Sequence, residues 1–337
     1  MEKVFDKNDK FGTINSIRQL LIEELKDYEG KPIKLDFNEI SGIDGLESLI
    51  FKDYVDSNKK NVKIIAFSYD VLRKLDLSNV SFDGVAIDNY DFTGLTGVKI
   101  NPEKVWGKDL INCIFNGVEF IGGFKGCRIS RCDFTGSKGA VIDPYMRVMS
   151  DCKFSGVRFL DNWVGTDVSR CDFTGSTTLM TAPRDIDMTC TKLQDVKFAW
   201  KIQNCRIDKC DFRGSEGAVI FPEEWKEKSA FGTNFEGVTF RNGWFDGWDI
   251  RSASFKNSVG ALIDLDMIED KDVSNTDLTD AYFGPVGEDI KINNTVCNGM
   301  SLEEYLVSKK VKEGAYVKVK SVLEQAKNCL LYTSPSP

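Results

Sequence analysis

The stretch Cys132-Asp133-Phe134-Thr135-Gly136-Ser137 decides the fold. It returns as Cys171-Asp172-Phe173-Thr174-Gly175-Ser176 and again as Cys210-Asp211-Phe212-Arg213-Gly214-Ser215, in two steps of 39 residues. Midway between these copies lie the related units Cys152-Lys153-Phe154-Ser155-Gly156-Val157 and Thr191-Lys192-Leu193-Gln194-Asp195-Val196. The central apolar residues of all such units are Phe92, Phe115, Phe134, Phe154, Phe173, Leu193, Phe212, Phe235, Phe255 and Leu278. Their intervals are 23, 19, 20, 19, 20, 19, 23, 20 and 23 residues. Self-similarity at such a period marks a repeat architecture, in which each unit buries its apolar face against its neighbours.

A shorter period sits inside the longer one. Phe67, Leu72, Leu77, Phe82, Ile87 and Phe92 are five apart, as are Phe235, Phe240, Phe245, Ile250 and Phe255. Five fits neither the helical 3.6 nor the strand 2.0 period. It fits a chain that turns a corner every five residues and buries one large apolar side chain on each of four sides. From Phe115 onward the residue two before each centre is small, as in Cys113, Cys132, Cys152, Cys171, Cys210 and Ala253, while Gly and polar residues supply the turns.

The pattern small–Asp/Asn–Phe/Leu–Ser/Thr–Gly, best seen in Cys132 to Gly136, Cys171 to Gly175 and Thr276 to Asp280, resembles the pentapeptide repeat family over roughly residues 67–282. The resemblance implies an all-β solenoid, a right-handed quadrilateral β-helix. Coils stacked at the ~4.8 Å inter-strand spacing would rise roughly 43 Å from Phe92 to Leu278. Alternate coils carry segments such as Ile100-Asn101-Pro102, Ile142-Asp143-Pro144, Ala182-Pro183 and Ile220-Phe221-Pro222, expected to bulge out as turns or short helices.

Four regions are expected: an α/β N-terminal cap over 1–66, the β-helix over 67–297, a C-terminal helical cap over 298–328 and a tail over 329–337. In the cap, Ile14, Ile17, Leu21, Leu25 and Tyr28 share a helix face that stops at Gly30, and Ile33-Leu35-Phe37 alternates like a strand. Asp44 with Glu47 opens a second helix through about Tyr54, and Val62 to Phe67 forms a second strand. Helices are also expected near 302–310 and 316–328. The tail, Cys329 to Pro337, resembles a translated sequencing adapter and is set aside.

Composition narrows the chemistry. The 337 residues include 23 Phe, 28 Gly, 10 Cys and no His, which excludes Ser-His-Asp and Cys-His nucleophiles and His-ligated metals. A net charge of −8 gives no general nucleic-acid footprint. Neither a signal peptide nor an apolar run of about 20 residues is present, so a cytoplasmic protein with reduced thiols is expected. Cys113, Cys132, Cys152, Cys171 and Cys210 share one column of the repeat. Metal or redox ladders need converging thiolates at shorter spacing, so this column reads as packing, with no cofactor or metal.

The candidate interaction surface has two parts. Phe124, Trp163 and Ile202 read as core residues of the third side, whereas Trp225, Trp244 and Trp248 are expected to form an exposed patch. Residues 261–290 carry nine acids, among them Asp264, Asp266, Glu269, Asp270 and Asp272, against Lys271 alone. By contrast, 121–160 carries seven bases and three acids. The expected function is a non-enzymatic scaffold that binds another macromolecule, a protein in the first instance, without direct nucleic-acid or membrane contact. The resemblance implies an alternative, since some pentapeptide repeat proteins mimic duplex DNA and bind or protect type II topoisomerases. A β-helix enzyme is the third alternative.

Overall fold

The computed structural model describes residues 10–34, 47–55, 60–145, 147–160, 163–241, 245, 247–263, 275–283, 296–297 and 300–301. The chain divides into two compact units, Met1–Asp143 with Cys152–Phe159, and Pro144–Asp151 with Leu160–Pro337.

The first unit opens with helix α1 (Lys10–Leu25). Lys74 Nζ donates to the carbonyls of Leu25 and Lys26 at 2.5 and 2.8 Å, a cation set where the helix dipole is negative. Buried Arg18 joins α1 to the next segment. Its Nε donates to Leu49 O at 2.8 Å, and Nη2 donates to Ser48 O and Phe51 O at 2.8 and 2.5 Å. The second helix, α2 (Glu47–Ile50), lasts one turn rather than reaching Tyr54. Strand β1 (Phe51–Val55) follows and pairs antiparallel with β2 (Asn61–Ile65), because Phe51, Tyr54, Val55, Val62, Ile64 and Ile65 suit a pleated surface better than a helix. Parallel bridges from Lys63 to Val85 and from Ile33 to Leu75 tie this segment to the coils. Residues Leu35 and Phe37, and the capping residue Asp44, lie outside the described residues.

After the short helix α3 (Tyr69–Leu72) the first unit is a parallel β-helix. Asp91 bridges Ile114, Ile114 bridges Asp133 and Asp133 bridges Lys153, and on neighbouring sides Asp109 bridges Arg128 and Glu119 bridges Lys138. The second unit repeats the scheme, with Asp172, Lys192, Asp211, Asn234, Ser254 and Asp277 bridged in succession. All ten expected centres, Phe92 to Leu278, are 0% exposed. Within the first unit the rings of Phe92 and Phe115 stack at 5.9 Å, and within the second those of Phe212 and Phe235 stack at 6.1 Å. Burying each such side chain stabilises the fold by about 1.5–3 kcal/mol.

Two left-handed residues frame every centre. Three residues before it, Asn89, Asn112, Arg131, Asp151, Arg170, Cys190, Lys209, Gly232, Ser252 and Asn275 have φ between +57° and +68°. Two residues after it stands Gly, or Asp195, Asn257 or Asp280, also at positive φ. The Asp of the repeat fixes the turn between them. The carboxylates of Asp133, Asp172, Asp211 and Asp277 accept the amide N–H two residues on, at 2.9–3.1 Å. This local bond is why Asp recurs before the central Phe.

Alternate coils differ, in part as expected. The segments leading to proline begin as strands: Lys99–Ile100 pairs with Glu119–Phe120, Val141–Ile142 with Arg158–Phe159, and Val219–Ile220 with Thr239–Phe240. Lys138 pairs back with Glu119, whereas Val141 pairs forward with Arg158. Glu216 pairs back with Lys197 in the same way, whereas Val219 pairs both back with Lys201 and forward with Thr239. The extra residues therefore sit between two pairings. Short 3-10 turns follow only at Trp106–Lys108 and Pro222–Glu224 among the described residues.

Val296–Cys297 pairs antiparallel with Met300–Ser301. The helices expected over 302–310 and 316–328 and the tail lie outside the described residues. No helix among those described is long and apolar enough to cross a membrane.

Candidate functional site

The outward positions of the coils carry paired charges. In the first unit Arg128 bonds Asp109 through two nitrogens, and Lys153 Nζ lies 2.9 Å from Asp133. In the second, Arg170 meets Asp151 at 2.6 Å, Lys192 meets Asp172 at 3.1 Å and Arg206 meets Asp187 at 2.9 Å. Each pair links neighbouring coils. Partial burial would raise the pKa of Asp133 and Asp172. The bonds from Thr135 and Lys153, and from Thr174 and Lys192, outweigh it and hold both carboxyls below their usual range. Hydrogen bonding to Arg213 lowers Asp211 in the same sense.

On this side of the second unit three successive coils form a polar groove of about 500 Å³, lined by Thr174, Lys192, Gln194, Asp211, Arg213 and Gly214. Arg213 Nε lies 2.9 and 3.0 Å from the two Asp211 oxygens, and Nη2 lies 2.5 Å from one of them. The equivalent positions in the sister motifs are Thr135 and Thr174. The change from Thr to Arg in an otherwise repeated hexapeptide was the sequence signal for this wall, and sequence reasoning passed over it.

The expected aromatic patch is corrected. Trp225 and Trp248 are buried, at 3% and 0% exposure, with ring centroids 5.3 Å apart. Trp248 Nε1 donates to Pro222 O at 3.3 Å. Counting back by fives from Phe235 gives Ala230 and then Trp225, so Trp225 falls on the five-residue frame of the core. Its frame is displaced by the turn at Pro222–Glu224. Trp248 stands two before Ile250, in the inward column of Cys127 and Cys205. Phe245, Phe124, Trp163 and Ile202 are buried as expected. Among the described residues the exposed tryptophan is Trp200, at 66%, which sequence reasoning missed. Trp244, Asp264, Asp266, Glu269, Asp270 and Asp272 lie outside the described residues.

The cysteine column is packing with a hydrogen bond added. Cys113, Cys127, Cys132, Cys152, Cys171, Cys205 and Cys210 are buried and Cys190 is exposed. Sγ of Cys113 donates to Ile87 O at 2.9 Å, and Sγ of Cys171 to Met149 O at 3.0 Å. Where the column changes type, Thr191, Thr233 and Thr276 donate in the same way to Val168 O, Ile207 O and Ile250 O, at 2.6, 2.5 and 2.8 Å. The column therefore takes small side chains, most of which also donate, while Ala253 fills the same place without a donor. Burial pushes the thiols of Cys113 and Cys205 up to about 12. Among the described residues no group of three or more Cys, Asp or Glu is placed to hold a metal ion.

No protein-family pattern and no curated protein matches the chain. Among solved structures it is similar to HetL, a pentapeptide repeat protein involved in heterocyst differentiation regulation from the cyanobacterium Nostoc sp. strain PCC 7120. That match has 10% identity and a TM-score of 0.24, over 66% of this chain and 86% of HetL. It is also similar to QnrB1, a plasmid-mediated fluoroquinolone resistance protein. The full-length form matches at 14% identity and a TM-score of 0.21, over 66% of this chain and 97% of QnrB1. The chain is thus similar to solved pentapeptide repeat proteins.

Proposed function

We propose that the protein is a non-enzymatic pentapeptide-repeat scaffold whose coil faces bind another protein. The reading includes a right-handed, four-sided β-helix between an N-terminal α/β cap and a C-terminal helical cap. Four bridging positions on one coil, Val164, Asp167, Asp172 and Thr178, support the four sides. The observation that carries the function is the division of labour along the repeat. Large apolar residues turn inward at every fifth place, which leaves regular outward columns of polar and charged side chains. Such stacked faces are extended binding surfaces, and the chemistry of their side chains selects the partner.

The interleaved cations speak against the duplex-DNA mimic, which needs negative charge spread along the repeat like phosphates. Lys153 beside Asp133 and Lys192 beside Asp172 neutralise the carboxylates that would play that part. The test is a titration of the intact protein against fractionated cell extract, with a DNA gyrase supercoiling assay run alongside. Saturable binding to a protein fraction with no effect on gyrase is expected. Turnover of a small molecule without saturable protein binding would overturn the scaffold reading, and gyrase protection would replace it with the mimic.

A further inference from the structure

The polar groove of the second unit has longer side chains on its walls than the equivalent places of the first unit, and Glu236 and Lys256 continue them in the two coils beyond it. Thr135 and Ser155 follow the centres of two coils in the first unit, and Thr174 holds that place at one end of the groove. The next two coils replace these short hydroxyls with Gln194 and Arg213. Two long side chains in succession build a wall, and Lys192 faces the same space from the position before Leu193. A chain of net charge −8 thus sets two cations in one groove.

Both cations are held and both keep donors. Arg213 commits Nε and Nη2 to Asp211, which fixes the guanidinium plane, and Nη1 takes no part in those bonds. Lys192 Nζ gives one hydrogen bond to Asp172, leaving two of its three N–H groups. A side chain already oriented loses less freedom when it binds a further group. The lining also contains acceptors, the Asp211 carboxylate and the Gln194 amide oxygen. A phosphate backbone offers acceptors only and would be set against Asp211. A polypeptide offers amide donors to those acceptors and carboxylates to the two cations.

The geometry points to an acidic, extended polypeptide segment of the protein partner as the occupant of this groove, with its carboxylates on Arg213 and Lys192. This rests on the protein-binding reading above and adds the chemistry of the partner. The probe is a fluorescein-labelled peptide of alternating Glu and Ser, titrated into the full chain by fluorescence anisotropy. A Lys-for-Glu peptide and single-stranded DNA of equal length serve as comparisons. Arg213→Thr restores the hexapeptide found at 132–137 and 171–176, so this variant should keep its fold, as circular dichroism will report.

Saturable binding of the acidic peptide is expected, weakened about tenfold or more by Arg213→Thr and by Lys192→Gln, the scale of a lost charge-assisted hydrogen bond. No saturable binding, equal binding by the folded Arg213→Thr variant, or preference for the DNA would each overturn the assignment. If a protein fraction from the extract still bound Arg213→Thr with unchanged affinity, the scaffold reading would stand and the groove alone would fail.

Discussion

The Sγ of Cys210 donates to the carbonyl oxygen of Met188 at 2.6 Å, across one coil of the β-helix. Thr191 makes the corresponding bond to Val168, so hydroxyl and thiol serve the same place. Cys210→Thr should therefore change stability by a few tenths of a kcal/mol, whereas Cys210→Val removes the donor and leaves the Met188 carbonyl only the amide N–H of Thr191, at about 0.5–1.5 kcal/mol. Urea denaturation of the two variants beside the parent separates a need for a donor from a need for small volume alone. Equal loss in both would show that size is what the column selects.

Gly217 has φ +72°, and a Cβ there would sit 2.5 Å from the carbonyl oxygen of Phe198. Gly84 has φ +74° and open space around it. Gly84→Ala should cost about 1–2 kcal/mol, the left-handed penalty alone. Gly217→Ala adds a backbone clash and should cost clearly more, lowering the melting temperature further than Gly84→Ala does.

Burial raises the thiols of Cys113 and Cys205 to about 12, against about 8.5 for a thiol in the unfolded chain. Above pH ~9 the unfolded chain releases these protons and the folded one does not, so the contribution is complete below about pH 8.5 and declines towards pH 12. Denaturation midpoints measured across that range should fall, with a shallower slope in Cys113→Thr/Cys205→Thr. Iodoacetamide labelling of the native protein, mapped by mass spectrometry, should modify Cys190 and spare Cys113 and Cys205 until denaturant is added.

Cys190 also occupies the left-handed position, at φ 59°, that Asn89, Asn112 and Asn275 hold in other coils. Asn tolerates that conformation better than Cys does. Cys190→Asn should raise stability by up to about 1 kcal/mol and remove the exposed thiol; a lower melting temperature would count against this account of the turn.

The core was legible because a five-residue frame can be counted. Every centre from Phe92 to Leu278 is fully buried, and Phe245 was placed correctly by the same count. Trp225 was misplaced because counting forward from Phe212 loses register at the turn Pro222–Glu224, whereas counting back from Phe235 keeps it. Trp248 was read as a lone aromatic although its position two before Ile250 is an inward one. The groove was harder to see. Its residues come from three coils and meet only because stacking brings the positions around Phe173, Leu193 and Phe212 side by side.

The bridged column Asp172, Lys192, Asp211 alternates in charge from coil to coil. Removing the single coil 192–210 would set Asp172 against Asp211 and put two like coils, each with Ser three places after its Phe, in succession. Removing a pair of coils would leave the alternation intact. Over these three coils the unit that can be taken out without setting like charges side by side is thus the couplet, whereas beyond Asp211 the neutral Asn234 and Ser254 lift that restriction.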